Sequence, residues 1–306
     1  MSYARLSRRP LLFKSFTGLA VSEFDVIAKE IESKYVEHER KRLSNRKRER
    51  DVGAGRPFKL KAKERFLMLL VYYRLYITFT LSGFLFDLDQ SNVCRDISML
   101  EPLIKLCVPL PKKLYKRTRR RLRTIDEVEG YFPGFKAFID SSEQEIPRPE
   151  NKRRRKSYYS GKKKKHTIKT QYMVNSEGTI LHKTGHDRGR IHDYEIFKNK
   201  HPTTPPQVEN FLDLGYMGVQ NDFPTVKYVL PFRKKKKVML SAEETIFNRK
   251  HSKLRVIVEH TVSRIKKFGI MGTKFRNKLG RYDHASDIVS GLVNFRIMRT
   301  NGGMFL

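Results

Sequence analysis

Along the first third of the chain, apolar residues recur at helical spacing. After Ser22, the residues Phe24, Ile27, Ala28, Ile31 and Tyr35 repeat at i, i+3, i+4, i+7 and i+11, and Ser22 with Asp25 resembles a capping box. A second helix is expected from about Ala62 to Tyr76, with Phe66, Leu69, Leu70 and Tyr73 on one face. Residues 66–86 form the most apolar stretch, but Arg74, Thr78, Thr80, Ser82 and Gly83 interrupt it. It therefore reads as two packed helices and falls short of a membrane span. After a break at Asp87-Leu88-Asp89, a further helix begins near Ser91, a plausible N-cap, and carries Val93, Ile97 and Leu100. Gln90, Asn92, Arg95 and Asp96 are then expected on its exposed face. This is a helix, turn, helix layout whose polar face could touch base edges or phosphates; the plainer reading is an ordinary helical bundle.

From Pro133 the periodicity changes. Short apolar segments at residues 135–140, 167–174, 179–183, 208–213 and 226–231 alternate with turns, and helical stretches follow at 241–268 and 284–298. Strands first, with helices interposed and appended, indicate an α/β sheet flanked by helices, preceded by a small all-α domain. The expected division is 1–60 for an N-terminal helix and basic linker, 61–125 for the helix-turn-helix, and 130–300 for the α/β domain. Within the first of these, residues 39–50 are densely charged and residues 53–57, Gly-Ala-Gly-Arg-Pro, break any helix. The Gly-Arg-Pro tripeptide resembles a minor-groove arm, but the match is short and a plain basic linker is the preferred reading.

Charge narrows the choice of partner. The formal net charge is +33 over 306 residues, with 65 Lys and Arg against 32 Asp and Glu, so nucleic acid is the first candidate. Charge alone separates neither DNA from RNA nor an enzyme from a passive binder. The 39% hydrophobic content, with 20 Phe and 14 Tyr, is enough for a core and sets the chain apart from short or disordered packaging proteins. Cys94 and Cys107 form no CxxC pair, which argues against structural zinc and suits a reducing cytoplasm. The basic N-terminus lacks an apolar run of signal-peptide length, so a cytoplasmic, nucleoid-associated protein with no membrane partner is expected.

Three carboxylates then stand out. Asp140 ends the apolar run Phe138-Ile139, Asp213 ends Phe211-Leu212, and Glu259 lies within Arg255-Val-Ile-Val-Glu259-His260. The two aspartates fall at strand ends, where catalytic groups of open α/β sheets sit. Arg255, Glu259 and Lys266 are offset by about 40° and 20° at roughly 100° per residue, so they share one helix face. Singly, such a triplet is an ordinary solvated ion pair. Together with Asp140 and Asp213 it becomes a ligand between two cations, in a set able to share two divalent metal ions. Oxygen ligands favour Mg²⁺ or Mn²⁺ over zinc.

Other features have competing explanations. Residues 153–156, the run Lys162, Lys163, Lys164 and Lys165, and residues 233–237 are either solvated loops or clamps on a DNA backbone. Tyr158 and Tyr159 suit a buried hairpin or stacking on a distorted base. His192-Asp193 suits a helix cap better than a general base, which two-metal chemistry does not need. Asp140 with Glu150-Asn-Lys152 matches the pattern of restriction-type nucleases, but only if Glu-x-Lys lies on a strand, and Pro147 and Pro149 oppose that.

Several local signatures agree with one family. They are Ile139-Asp140-Ser-Ser-Glu143 with Ile146-Pro-Arg-Pro149, then Tyr159-Ser160-Gly161 and the lysine run before His166-Thr167, then Gly189-Arg-Ile-His192-Asp193 and Leu212-Asp213-Leu-Gly215-Tyr216-Met-Gly218, and finally Arg255-x3-Glu259-x6-Lys266. In order and spacing the chain from about residue 60 resembles DDE insertion-sequence transposases. The resemblance implies an RNase H-like catalytic domain after an N-terminal helix-turn-helix. It also implies a site of Asp140, Asp213 and Glu259 holding two Mg²⁺ or Mn²⁺ ions, with DNA contacts from Gln90, Asn92, Arg95, Lys162, Lys163, Lys164, Lys165, Arg255 and Lys266. Double-stranded DNA, both transposon ends and target, and a homo-oligomer assembled on it would be the partners. Cleavage and strand transfer would be the same in-line displacement with different nucleophiles. Ser252 stands where the family signature carries tyrosine, which removes a phosphate or end-DNA contact and leaves the metal ligands in place. A DNA-binding regulator or an inactive remnant is the alternative.

Overall fold

The structure is a computed structural model that describes residues 1–44, 57–111, 124–200, 204–234 and 238–302. Two short helices, α1 (Tyr3–Ser7) and α2 (Pro10–Thr17), precede the first periodic segment. Each is too short to show a repeat, which is why periodicity does not announce them. The helix α3 (Val21–Ser44) starts before the expected cap, and Ser22 lies inside it. Glu23 closes its start instead by accepting the Ala20 N–H at 2.6 Å, while the Asp25 carboxylate receives the Tyr3 hydroxyl at 2.7 Å and pairs with Lys63 at 2.8 Å. Residues 45–50 of the charged run and nearly all of the Gly-Arg-Pro linker lie outside the described residues.

The helix-turn-helix is built from α4 (Ala62–Leu75), α5 (Phe79–Phe86) and α6 (Gln90–Cys107). Two local expectations are corrected here. Asp89, not Ser91, caps α6: it has extended backbone and its side chain accepts the Ser91 N–H at 2.7 Å. Asp96 does not join the exposed face. It follows Val93 by three positions and points inward, 7% exposed, against Arg65 (1% exposed) at 3.1 Å. Burial holds the Asp96 carboxyl above its usual range even though Arg65 pulls it down. Gln90, Asn92 and Arg95 remain exposed.

The C-terminal part has the expected mixed α/β architecture, a sheet flanked by helices and preceded by the helix-turn-helix. Its strands are β1 (Lys136–Glu145), β2 (Tyr159–Ser160), β3 (Lys165–Asn175), β4 (Ile180–Lys183), β5 (Asp187–Arg188), β6 (Glu209–Phe211) and β7 (Lys227–Val229). The order is β2-β3-β1-β6-β7, with β4 and β5 also paired to β3. β3 runs antiparallel to β1, whereas β6 is parallel to β1 and β7 to β6. The connecting helices are α7 (Ile125–Tyr131), α8 (Lys152–Tyr158), α9 (Asp193–Lys200) and α10 (Val219–Asp222); α11 (Ala242–Lys266), α12 (Gly269–Gly272) and α13 (Tyr282–Thr300) follow. A capping box starts α11: Ser241 Oγ accepts the Glu244 N–H at 3.1 Å and the Glu244 carboxylate accepts the Ser241 N–H at 2.8 Å.

Alternation along β1 sorts its side chains between two cores. Phe138 belongs to the larger, which continues through Tyr172, Val258, Phe268 and Leu292 into Phe66, Leu100 and Ile104 of the helix-turn-helix. Ala137 and Ile139 face the smaller, with Met173, Phe197, Leu212 and Tyr216. Polar contacts reinforce the first junction: Glu101 of α6 accepts from Tyr73 at 2.9 Å and from Arg281 at 2.8 Å, and Lys105 pairs with Asp287 of α13 at 2.7 Å. Among the described residues no helix is long and apolar enough to cross a membrane.

Removing one partner of a buried ion pair strands the other charge, so Arg65→Ala should lower unfolding free energy by about 3–5 kcal/mol. The double variant Arg65→Ala/Asp96→Ala should recover part of that loss, as measured by urea titration of circular dichroism.

Candidate active site

Register brings the two aspartates together. β1 and β6 pair in parallel as Lys136↔Glu209, Ala137↔Asn210 and Phe138↔Phe211, and the last pair stacks its rings at 5.0 Å. Asp140 and Asp213 each lie two residues beyond that pair, on neighbouring chains running in the same direction. Pairing stops at Phe211, where the chain turns into the short 3-10 segment Leu214–Tyr216, so the β1 edge beyond Phe138 lies open toward the cleft.

The turn is specified by its own residues. The Asp213 carboxylate accepts the Gly215 N–H at 2.8 Å, and a Cβ at position 215 would come within 2.9 Å of that oxygen and push the carboxylate aside. Tyr216 anchors the turn from below: its buried hydroxyl accepts from Gln171 Nε2 at 3.0 Å and lies 3.1 Å from Ser141 Oγ. Burial pushes the Tyr216 phenol well above its usual range, so it stays neutral. The sequence Asp213-Leu-Gly215-Tyr216 is thus a device for placing one carboxylate beside β1.

Asp140 is under electrostatic tension. Burial raises its carboxyl to a pKa of about 6; Arg255 pulls it down, and the charges of Asp213 and Asp193 push it further up. The Arg255 guanidinium is its ion-pair partner, but the contact is long, 3.4 Å from Nη2 to Oδ1, and the same Nη2 lies 3.4 Å from the Ile139 carbonyl on the open strand edge. The buried Nε of Arg255 has no hydrogen-bond partner among the described residues. Glu259 follows one turn later on α11 and is exposed. Lys266 is exposed; desolvation and the charge of Lys163 lower its pKa, and Asp140 and Glu143 pull the other way. Among the described residues no three His, Cys, Asp or Glu side chains are grouped closely enough to hold one metal ion. Asp140, Asp213 and Arg255 come together; Glu259 shares the Arg255 helix face but stands off.

Beside this cleft lies a group that sequence reasoning missed. Lys169, only 8% exposed, sits opposite Glu143 in the β1–β3 register. Its ammonium lies 3.5 Å from Glu143 and 3.1 Å from Asp193, and donates to the Ile191 carbonyl at 2.8 Å. A lone lysine inside the strand over residues 167–174 was the available signal. Its two partners come from separate segments, so spacing could not reveal them. Asp193 opens α9, in keeping with a helix start. Glu150-Asn-Lys152 is not on a strand: Asn151 caps α8 and Lys152 is its first residue, which removes the restriction-type reading.

The expected DNA contacts fall in two places. On α6, Arg95 is folded back, donating to the Ser91 carbonyl at 3.2 Å and to Asn92 Oδ1 at 2.9 Å, while Gln90 Oε1 accepts from Thr80 at 2.9 Å. Lys162, Lys163 and Lys164 are exposed in the β2–β3 turn, and Lys165 pairs with Glu145 at 2.7 Å. The end of the basic run at residues 235–237 lies outside the described residues. Tyr158 is buried but ends α8, and Tyr159, on β2 of the hairpin, is 42% exposed, so neither is the expected buried hairpin tyrosine.

Residues 139–294 match the family described as DDE superfamily endonuclease, and residues 58–109 match the helix-turn-helix of DDE superfamily endonuclease. The chain is similar to the "Probable transposase for insertion sequence element IS702" of Microchaete diplosiphon, 29% identical over 247 residues that cover 79% of this chain and 83% of that protein. No solved structure matches.

Because the folded state raises the Asp140 pKa, the neutral form stabilises the fold below about pH 4, and that contribution is lost as pH rises through about 6. In chelator, Asp140→Asn should therefore be more stable than wild type at pH 8, on the order of 2 kcal/mol, and indistinguishable from it near pH 4. Thermal melts across pH test this; an equal difference at both ends would refute the electrostatic account.

Proposed function

As the chain belongs to the DDE superfamily endonuclease family, we propose that it is an insertion-sequence transposase that binds transposon ends through α6 and cuts and joins DNA at Asp140, Asp213 and Glu259. The observation that carries this reading is the side-by-side placement of Asp140 and Asp213 by parallel register in a chain of net charge +33. The division of labour follows the expected boundaries, with end recognition in residues 61–125 and chemistry in residues 130–300. A homo-oligomer on DNA would hold two ends at once.

The donors suit a hard divalent cation. They are carboxylate oxygens without sulfur or imidazole, and the burial that raises the Asp140 pKa, with the lesser repulsion from Asp213, is what a bound cation would offset. Asp140 and Asp213, with Glu259 reaching from α11, would hold two Mg²⁺ or Mn²⁺ ions, which supply a more acidic water or 3′-hydroxyl and neutralise the leaving oxygen. The protein does the rest by positioning. Arg255 steadies Asp140 with Nη2 and holds a positive charge at the edge of the site. Lys266 and the lysines at 162–165 supply positive charge along the DNA backbone. Gln90, Asn92 and Arg95 lie on the exposed start of α6, where helix-turn-helix proteins contact bases. In-line attack by water cuts the end, and attack by the freed 3′-hydroxyl joins it to target DNA, with the same residues serving both steps.

Alanine at Asp140, Asp213 or Glu259 should abolish metal-dependent nicking of the element's ends while end binding in a gel shift survives. Arg95→Ala should do the reverse, weakening specific binding without altering the metal site. A wild-type chain that binds ends and never nicks them would instead be a regulator or an inactive remnant.

Changing Lys162, Lys163, Lys164 and Lys165 to Ala should weaken binding to any DNA and flatten its salt dependence, the slope falling by about one for each phosphate that is no longer neutralised. A gel-shift titration across salt measures this, and an unchanged slope would remove the run from the interface.

A further inference from the structure

A cavity of about 1110 Å³ opens next to the catalytic cleft, between α8, the β2–β3 turn and the start of α9. Gly215, two residues past Asp213, borders it, and Glu143 and Asp193 form part of its wall. Lys169 bridges these two carboxylates and offsets one of their two negative charges. Arg155 is held in place by donating to the carbonyls of Pro149 at 3.2 Å and Glu150 at 3.0 Å. By contrast Arg148, Lys152, Lys156, Lys162 and Arg190 line the cavity without an ion-pair partner among the described residues. The wall also carries an aromatic face: Tyr159, 42% exposed, with its ring 5.6 Å from that of His166 in an edge-on arrangement.

The backbone is shaped to keep this space. Gly189 packs so tightly against β3 and the end of α8 that a Cβ there would lie 2.0 Å from Thr167 Oγ1 and 2.9 Å from the Tyr158 carbonyl. Its N–H bonds the Thr167 carbonyl at 2.9 Å, and Arg190, the next residue, is presented at the cavity wall. Glycine at this point lets the turn lie flat and keeps the recess open.

Size and lining select the occupant. Sites of roughly 300–1,000 Å³ hold one drug-sized molecule, so a recess of about 1110 Å³ has room for a short stretch of one strand. Unpartnered cations suit phosphates, and an exposed aromatic ring suits the face of a base, which is available only when the base is unpaired. Resting on the transposase reading above, we propose that this cavity takes a short single-stranded DNA segment at the cut end, with an unpaired base stacked on Tyr159 and its flanking phosphates held by Arg190 and the α8 cations. Opening the terminal base pairs would then deliver one strand toward Asp140 and park the other here.

The test uses the full-length protein in chelator, so that no cutting occurs. Fluorescent end duplexes are compared with the same duplexes bearing a three-nucleotide single-stranded extension that contains 2-aminopurine. Wild type should favour the extended end by roughly fivefold or more and quench the 2-aminopurine. Tyr159→Ala should lose both effects, Tyr159→Phe should retain both, and Arg190→Ala should lose the preference. Equal wild-type affinity for blunt and extended ends, or a preference and quench unchanged in Tyr159→Ala, would overturn the proposal. Failure of the transposase reading shows separately, as end nicking in metal that Asp140→Ala does not abolish or as no nicking at all.

Discussion

The parallel pairing of β1 with β6 is the constraint on which the rest depends. Parallel neighbours carry equivalent positions side by side, so one register step, Phe138↔Phe211, puts Asp140 and Asp213 next to each other without any contact between the two carboxylates. The brevity of β6 matters as much. Had pairing continued past Phe211, the β1 edge would have been sealed, and Ile139 would have bonded a strand rather than lying open to Arg255. Two sequence features enforce the stop: a carboxylate that caps its own turn and a glycine that admits it.

Around that edge the charge balance is inverted relative to the whole molecule. A chain with twice as many cations as anions gathers Asp140, Glu143, Asp193 and Asp213 at one cleft, and burial makes the first of them reluctant to ionise. Lys169 is shared between two of these groups and offsets one of their charges, and Arg255 reaches Asp140 only at a long distance. The acidic cleft is therefore under-compensated at its centre and surrounded by exposed lysine and arginine, a distribution that draws a polyanion to the rim while favouring cations within.

The helical part is not a loosely tethered appendage. Its core runs without interruption into the sheet, and α6 is tied to α13 and the segment before it through Glu101–Arg281 and Lys105–Asp287. Breaking such contacts exposes apolar surface and strands charges, so the exposed start of α6 keeps a set orientation relative to Asp140. Under the proposed function, where DNA is held on α6 would bear directly on which phosphate reaches the cleft.

Much of this was legible in the residues themselves. Apolar runs ended by Asp140 and Asp213 marked two strands, though pairing with β3 carries β1 on to Glu145, so Asp140 lies inside its strand and not at its end; helical periodicity marked α4, α6 and α11, and the shift from period 3.6 to short alternating segments marked the junction between helical and sheet parts. Those signals are local, because side-chain spacing reports the face an element must bury. Spacing does not report what that face will meet. Asp96 turned inward because Arg65 of α4 awaited it, and Asp89 took the cap because the turn left its side chain free to bend back. Likewise Lys169 joined Glu143 and Asp193 from three separate segments, and the cavity beside Tyr159 exists only where α8, β3 and the Gly189 turn converge. Element type follows from the order of residues, whereas strand ends, register, cross-element ion pairs and empty space arise only when distant segments pack, since their energies depend on contacts that no single stretch of chain contains.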